Sequence, residues 1–157
     1  MEIIKAEKKH IGAVSVLLRQ VLNIHNQIRP DIFKKDAKKY TRKELDKIIF
    51  ENKSPIFICV DGDKILGYCF CVIEKVKNSN FLQDNKTLYI DDLCVDENYR
   101  GKGIGKALYN YVLEYAKSID CFNVTLNVWA GNESAMGFYQ SLGFKPQKTY
   151  MEVIIKE

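Results

Sequence analysis

The stretch from Leu88 to Ala116 constrains this chain more than any other. It opens as an apolar run, Leu88 to Val95, interrupted only by Asp91 and Asp92. It then passes through Gly101, Gly103 and Gly105. It closes with Ile104, Ala107, Leu108, Tyr111, Val112, Tyr115 and Ala116 at i, i+3, i+4, i+7, i+8, i+11 and i+12. That last spacing is one face of an α-helix. Val124 to Val128 reads as strand again, so the segment is a strand–helix–strand unit, which requires a sheet with helices packed on it. Glycines in such a turn let backbone N–H groups approach a ligand closely, and the helix N-terminus adds positive dipole. The chemistry implied is phosphate or pyrophosphate binding.

Two nucleotide motifs are excluded by spacing. A P-loop needs G-x-x-x-x-G-K-[ST], and here Gly105-Lys106 is followed by Ala107. A dinucleotide fingerprint needs G-x-G-x-x-G and an acidic residue ending the next strand. The glycines here are spaced G-x-G-x-G, and Val124-Thr-Leu-Asn-Val128 carries no acid.

The remaining elements follow from periodicity. Ile3-Ile4 is a short strand. Val14, Leu17, Leu18, Val21 and Leu22 have helical spacing, which Pro30 ends. Thr41 and Glu44 form a capping box ahead of Leu45, Ile48 and Ile49, so a second helix covers about 41–50. Ile56–Val60 and Ile65–Ile73 flank Asp61-Gly62-Asp63 as a hairpin, and 78–86 reads as a loop. Ser134–Leu142 is a short helix with Gly143 at the left-handed position after its end. A last strand is expected over Tyr150–Ile155. The fold class is α/β: a mixed, mostly antiparallel central sheet with helices on both faces. With 157 residues, a single domain over 1–157 is expected.

Composition narrows the function classes. No apolar run reaches the roughly 18–20 residues of a membrane span, and the N-terminus has no signal-peptide pattern. The five cysteines, Cys59, Cys69, Cys71, Cys94 and Cys121, are odd in number and sit mostly in apolar runs, which suits reduced thiols in the cytoplasm. Cys69-x-Cys71 is too tight for a zinc knuckle and there are only two histidines, so no metal is expected. The net charge of +4 is uneven: residues 1–80 carry 16 basic against 10 acidic side chains. The excess lies in Arg29–Lys53, which lacks a recognisable binding module and reads as a solvated helix face rather than a nucleic-acid footprint.

Arg100-x-x-Gly103-x-Gly105 resembles the acyl-CoA pyrophosphate loop of the GNAT N-acetyltransferases, whose pattern is Q/R-x-x-G-x-G/A. Asn132-x-x-Ala135 and Phe138-Tyr139-x-x-x-Gly143-Phe144 resemble that family's second cofactor segment. The matches run from Leu88 to Phe144, and the order of elements is the family's order. The resemblance implies acetyl-CoA as co-substrate, a small-molecule or peptide amine as acceptor, and direct transfer in a ternary complex. It implies that backbone groups of Leu93, Cys94 and Val95 hold the pantetheine arm. The amides of Gly101, Lys102, Gly103, Ile104, Gly105 and Lys106 would bind the pyrophosphate, with charge from Arg100 and Lys102. Asn132, Ala135 and Tyr139 would meet the cofactor arm, with Tyr139 as the acid that protonates the departing thiolate.

Asp91 or Asp92 stands where relatives carry an acidic residue acting through water. Strand alternation lets only one of them face the cleft, and Asp91 is the expected one. His25, Arg29 and Phe33 would line the acceptor pocket, with Tyr150 closing it. Cys94 lacks a nearby histidine and is not expected to act as a nucleophile. Relatives also suggest a homodimer. The competing reading is a non-catalytic acyl-CoA sensor or interaction module.

Overall fold

The computed structural model describes residues 1–156. The chain forms two compact units, one over Met1–Asn127 and one beginning at Val128.

The first unit is built on a five-stranded sheet in the order β1-β2-β3-β4-β5. The strands are β1 (Glu2–Lys5), β2 (Ile56–Asp61), β3 (Lys64–Val76), β4 (Asn85–Val95) and β5 (Asn123–Leu126). The first four pair antiparallel, and β5 joins β4 in parallel, so the sheet is mixed. β3 and β4 run longer than their apolar cores. Polar residues from Glu74 and back to Asn85 continue the ladder into the expected loop, because a paired neighbour supports strand geometry where side chains do not demand it.

Alternation along β2 sends Ile56 and Ile58 to one face and Phe57 and Cys59 to the other. The first face is covered by α1 (Ile11–Ile28) and α2 (Arg42–Glu51), through Val14, Leu17, Leu18 and Leu45. The second is covered by α3 (Ile104–Ser118), which buries Ile104, Leu108, Val112 and Ala116, one residue per turn. Burying each of these larger side chains contributes about 1.5–3 kcal/mol. The Thr41 capping box is formed in full: Thr41 Oγ1 accepts from Glu44 N at 3.2 Å, and the Glu44 carboxylate accepts from Thr41 N at 2.6 Å.

One irregularity in the sheet matters for function. Phe70 pairs with Asp92 but Cys71 pairs with Ile90, which leaves Asp91 as an extra residue in β4. This is a β-bulge, and a bulge resets which face the following side chains occupy. The strict alternation expected at Asp91 and Asp92 therefore fails, and both carboxylates reach the α1 side.

The second unit contains α4 (Glu133–Ser141). Asn132 caps it, its side chain accepting from Ala135 N at 3.2 Å. At the other end Phe144 N donates to Tyr139 O, and Gly143 N donates to Gln140 O. Gly143 has φ +92°, and the Tyr139 and Phe144 rings lie 5.6 Å apart. This is a complete Schellman end with its apolar clasp. The strand expected over Tyr150–Ile155 does not form. Tyr150, Met151, Val153, Ile154 and Ile155 are exposed and no ladder pairs them. Apolar content gives strand propensity, but a strand exists only where a neighbouring edge supplies hydrogen bonds.

Candidate active site

β5 pairs with β4 only from Thr87 to Ile90, so β4 continues past it through Asp91–Val95. Along that stretch Leu93, Cys94 and Val95 pair with β3 on one side. The carbonyl of Val95 accepts from Arg100 Nε at 3.2 Å, which folds the arginine back onto the strand end. Asp96 then caps a single turn at Glu97–Tyr99, accepting from Asn98 N at 2.9 Å.

The glycine loop follows directly. Gly101 and Gly103 have φ of +76° and +78°, a region that side-chain-bearing residues rarely adopt. A Cβ at either position would meet nothing within 4 Å, so the glycines are not there for packing. They turn the chain beside open space. Gly103 is the N-cap of α3 and supplies no side-chain cap. The amides of Ile104, Gly105 and Lys106 thus lack intrahelical acceptors and present a positive dipole end. Lys102 Nζ sits 5.1 Å from the Tyr99 ring centroid. Open space, uncapped N–H groups and basic side chains are the donor set a pyrophosphate needs.

The carboxylates define a second feature on the same strand. Lys39 Nζ donates to Asp91 Oδ2 at 2.7 Å and to Asp92 Oδ2 at 2.5 Å. Burial pushes the Asp92 carboxyl above the usual carboxylate range, against the pull of Lys39. Burial also opposes the charge on Lys39, but the two carboxylates outweigh it and hold the ammonium above the ordinary lysine range. These three groups end a cavity of about 210 Å³. Its walls are Leu18, Val21 and Leu22 of α1, with His25 and Phe33. The His25 and Phe33 rings are 5.0 Å apart. Asn26 Nδ2 donates to Phe33 O at 2.6 Å and pins the loop that follows α1. Burial, helped by Lys39, lowers the His25 pKa and keeps that ring neutral. Beside them the Tyr68 hydroxyl is buried without a hydrogen-bond partner among the described residues.

The structure therefore brings Asp91, expected as a proton acceptor, together with His25 and Phe33 of the expected acceptor pocket. Arg29 is not among the cavity's lining residues. Its guanidinium bonds Asp31 at 2.9 and 2.6 Å. Tyr150 is fully exposed, on the segment whose strand did not form. Lys39 was missed by sequence reasoning, because its partners are 52 and 53 residues away and nothing local distinguishes it from the lysines around it. Burial pushes the Cys94 thiol up to about 12, which disfavours the thiolate form. All five cysteines are free thiols. Among the described residues no acidic, histidine or cysteine cluster could hold a metal.

The pattern described for the acetyltransferase (GNAT) family matches residues 18–144. The chain belongs to the GNAT family. Its fold is that of a GNAT protein. A point mutant of the BH1408 protein of Bacillus halodurans superposes with a TM-score of 0.95, at 32% identity over 99% of this chain and 100% of that one. An uncharacterized N-acetyltransferase of Methanocaldococcus jannaschii is 31% identical over 111 residues, 71% of this chain and 48% of that protein. A peptidyl-lysine N-acetyltransferase of Salmonella typhimurium is 31% identical over 107 residues, 66% of this chain and 61% of that protein. The chain thus spans about half to three fifths of the length of these two curated relatives. GNAT proteins use acetyl-CoA as co-substrate and amines as acceptors.

Proposed function

We propose that this GNAT chain is an acetyl-CoA-dependent N-acetyltransferase, one domain over 1–157, that acetylates a primary amine directly in a ternary complex. The observation that carries the reading is the sharing of one strand by two features. β4 bears the carboxylate pair at its bulge and leads straight into the open glycine loop at the N-terminus of α3.

In this reading the loop from Arg100 to Lys106 binds the pyrophosphate through the amides of Ile104, Gly105 and Lys106. Leu93, Cys94 and Val95 offer backbone groups along the edge that β5 leaves uncovered. Asn132, Ala135 and Tyr139 supply the second cofactor segment. Acetyl-CoA supplies an activated thioester carbonyl. An alkyl ammonium has a pKa of about 10.4 and must lose a proton before attack. The Asp91–Asp92 pair takes that proton, directly or through water. The amine nitrogen then forms a bond to the acetyl carbon as the carbon–sulfur bond breaks. Tyr139 donates a proton to the leaving sulfur, and the proton that the nitrogen sheds on becoming an amide restores the Tyr139 hydroxyl, so the step balances. His25 and Phe33 shape the acceptor side. Free thiols support a cytoplasmic location, and the exposed apolar run at Tyr150–Ile155 supports a homodimer.

The test is acetyl-CoA-dependent free-thiol release against a panel of amines and peptides. Gly103→Val should abolish acetyl-CoA binding measured by calorimetry, because φ +78° opposes a β-branched residue and forces the loop backbone to move. Unaltered binding overturns the loop assignment. Tyr139→Phe should lower kcat by about 10²-fold or more with little change in cofactor affinity. An unchanged rate removes Tyr139 as the acid.

A further inference from the structure

Among the described residues the cavity beneath α1 already holds one ammonium group, that of Lys39. From this we infer that Lys39 is a tethered occupant of the acceptor's ammonium site and a specificity-determining residue, and that the acceptor is a single ammonium on an apolar stem with no anionic group nearby. The inference rests on the acetyltransferase reading and names the substrate class for the same site.

The chemistry of the lining leads there. Lys39 uses one oxygen of each carboxylate, Oδ2 in both cases. The Oδ1 atoms have no donor among the described residues. Two carboxylates against one ammonium leave the end of the cavity with one net negative charge, since His25 is held neutral by burial. A second ammonium finds two acceptor oxygens and an attractive field, in a partly buried place where such a field is strong. Behind the charges the walls are Leu18, Val21, Leu22 and Phe33, which favour a hydrocarbon stem. About 210 Å³ is below the roughly 300–1,000 Å³ of sites for larger ligands, so the cavity takes a small amine or the end of a chain.

The same lining rejects amines that carry their own anion. Lys39 is the only lysine or arginine among the lining residues and it is committed to both carboxylates. A phosphate or carboxylate on the acceptor would enter unpaired beside two like charges, an arrangement that costs heavily when partly buried. Two sources present the required chemistry: a free alkyl or aralkyl amine, and a lysyl side chain whose butyl stem is the apolar body.

Binding is measured by calorimetry, with and without coenzyme A, for phenethylamine, Nα-acetyl-lysine amide, glucosamine 6-phosphate and aspartate. The first two are expected to bind at least tenfold more tightly than the last two, and whichever of the first two binds better names the source. Lys39→Met removes the resident ammonium and should tighten binding of the preferred amine about threefold to tenfold. Lys39→Gln serves as the second variant, with folding of both checked by circular dichroism. Preference for glucosamine 6-phosphate or aspartate overturns the inference, as does binding of the preferred amine that is unchanged or weaker in both folded variants. Absence of binding by all four amines also overturns it. Failure of acetyl-CoA itself to bind is a separate result, and it strikes the acetyltransferase reading instead.

Discussion

Tyr68 places a hydroxyl in the core with no hydrogen-bond partner among the described residues, next to a carboxylate that raises its pKa further after burial has done most of the work. An unsatisfied buried hydroxyl costs about 1–3 kcal/mol. Tyr68→Phe keeps the ring, its packing and its strand pairing while deleting the orphan. It should be neutral or stabilise the protein by up to about 1 kcal/mol in urea unfolding. A clear loss of stability would show that a water or ligand satisfies the hydroxyl. Most single-residue facts of the glycine loop were legible in the chain. Gly143 has the left-handed backbone expected after the short helix, and Gly101 and Gly103, where close backbone approach was expected, have it too. Lys39 was not legible, because an ion pair across 52 residues leaves no mark on the residues beside it.

The element that decides the site is β4. Its period-2 pattern predicts that Asp91 and Asp92 diverge, and the bulge makes them converge on one lysine. A bulge is a property of two strands held out of register, so neither strand carries it alone. Helix ends behave differently, because their signals lie within four residues. The Thr41–Glu44 box and the Gly143 end form as written. Thr41→Ala should therefore cost about 1 kcal/mol of stability, read as a shift in the urea midpoint with an unchanged slope.

At the scale of the molecule, stability should depend on alkaline pH through Lys39. Its folded-state pKa lies above the ordinary value of about 10.4, so its contribution is fully present below that pH. It is lost as pH rises through 10.4 towards the folded value. Urea midpoints taken between pH 9 and 11 should fall less steeply for Lys39→Met than for the parent chain, and parallel curves would contradict the ion-pair geometry. The apolar segment at Tyr150–Ile155 belongs to this scale too. Its exposure predicts association, and light scattering should show a homodimer that truncation after Lys148 dissociates.

The order of elements, the caps, the α3 face and the glycine loop follow from local patterns along the chain, because each is written in contacts or dihedrals a few residues apart. The alternation in β2 also sets the two faces of the sheet. Three features arise only once distant segments pack: the bulge that aims both carboxylates, the lysine that meets them, and the absence of a strand over Tyr150–Ile155. Each depends on what a distant segment offers as a partner, and hydrogen-bond register and charge pairing between distant segments are fixed only when the chain has packed.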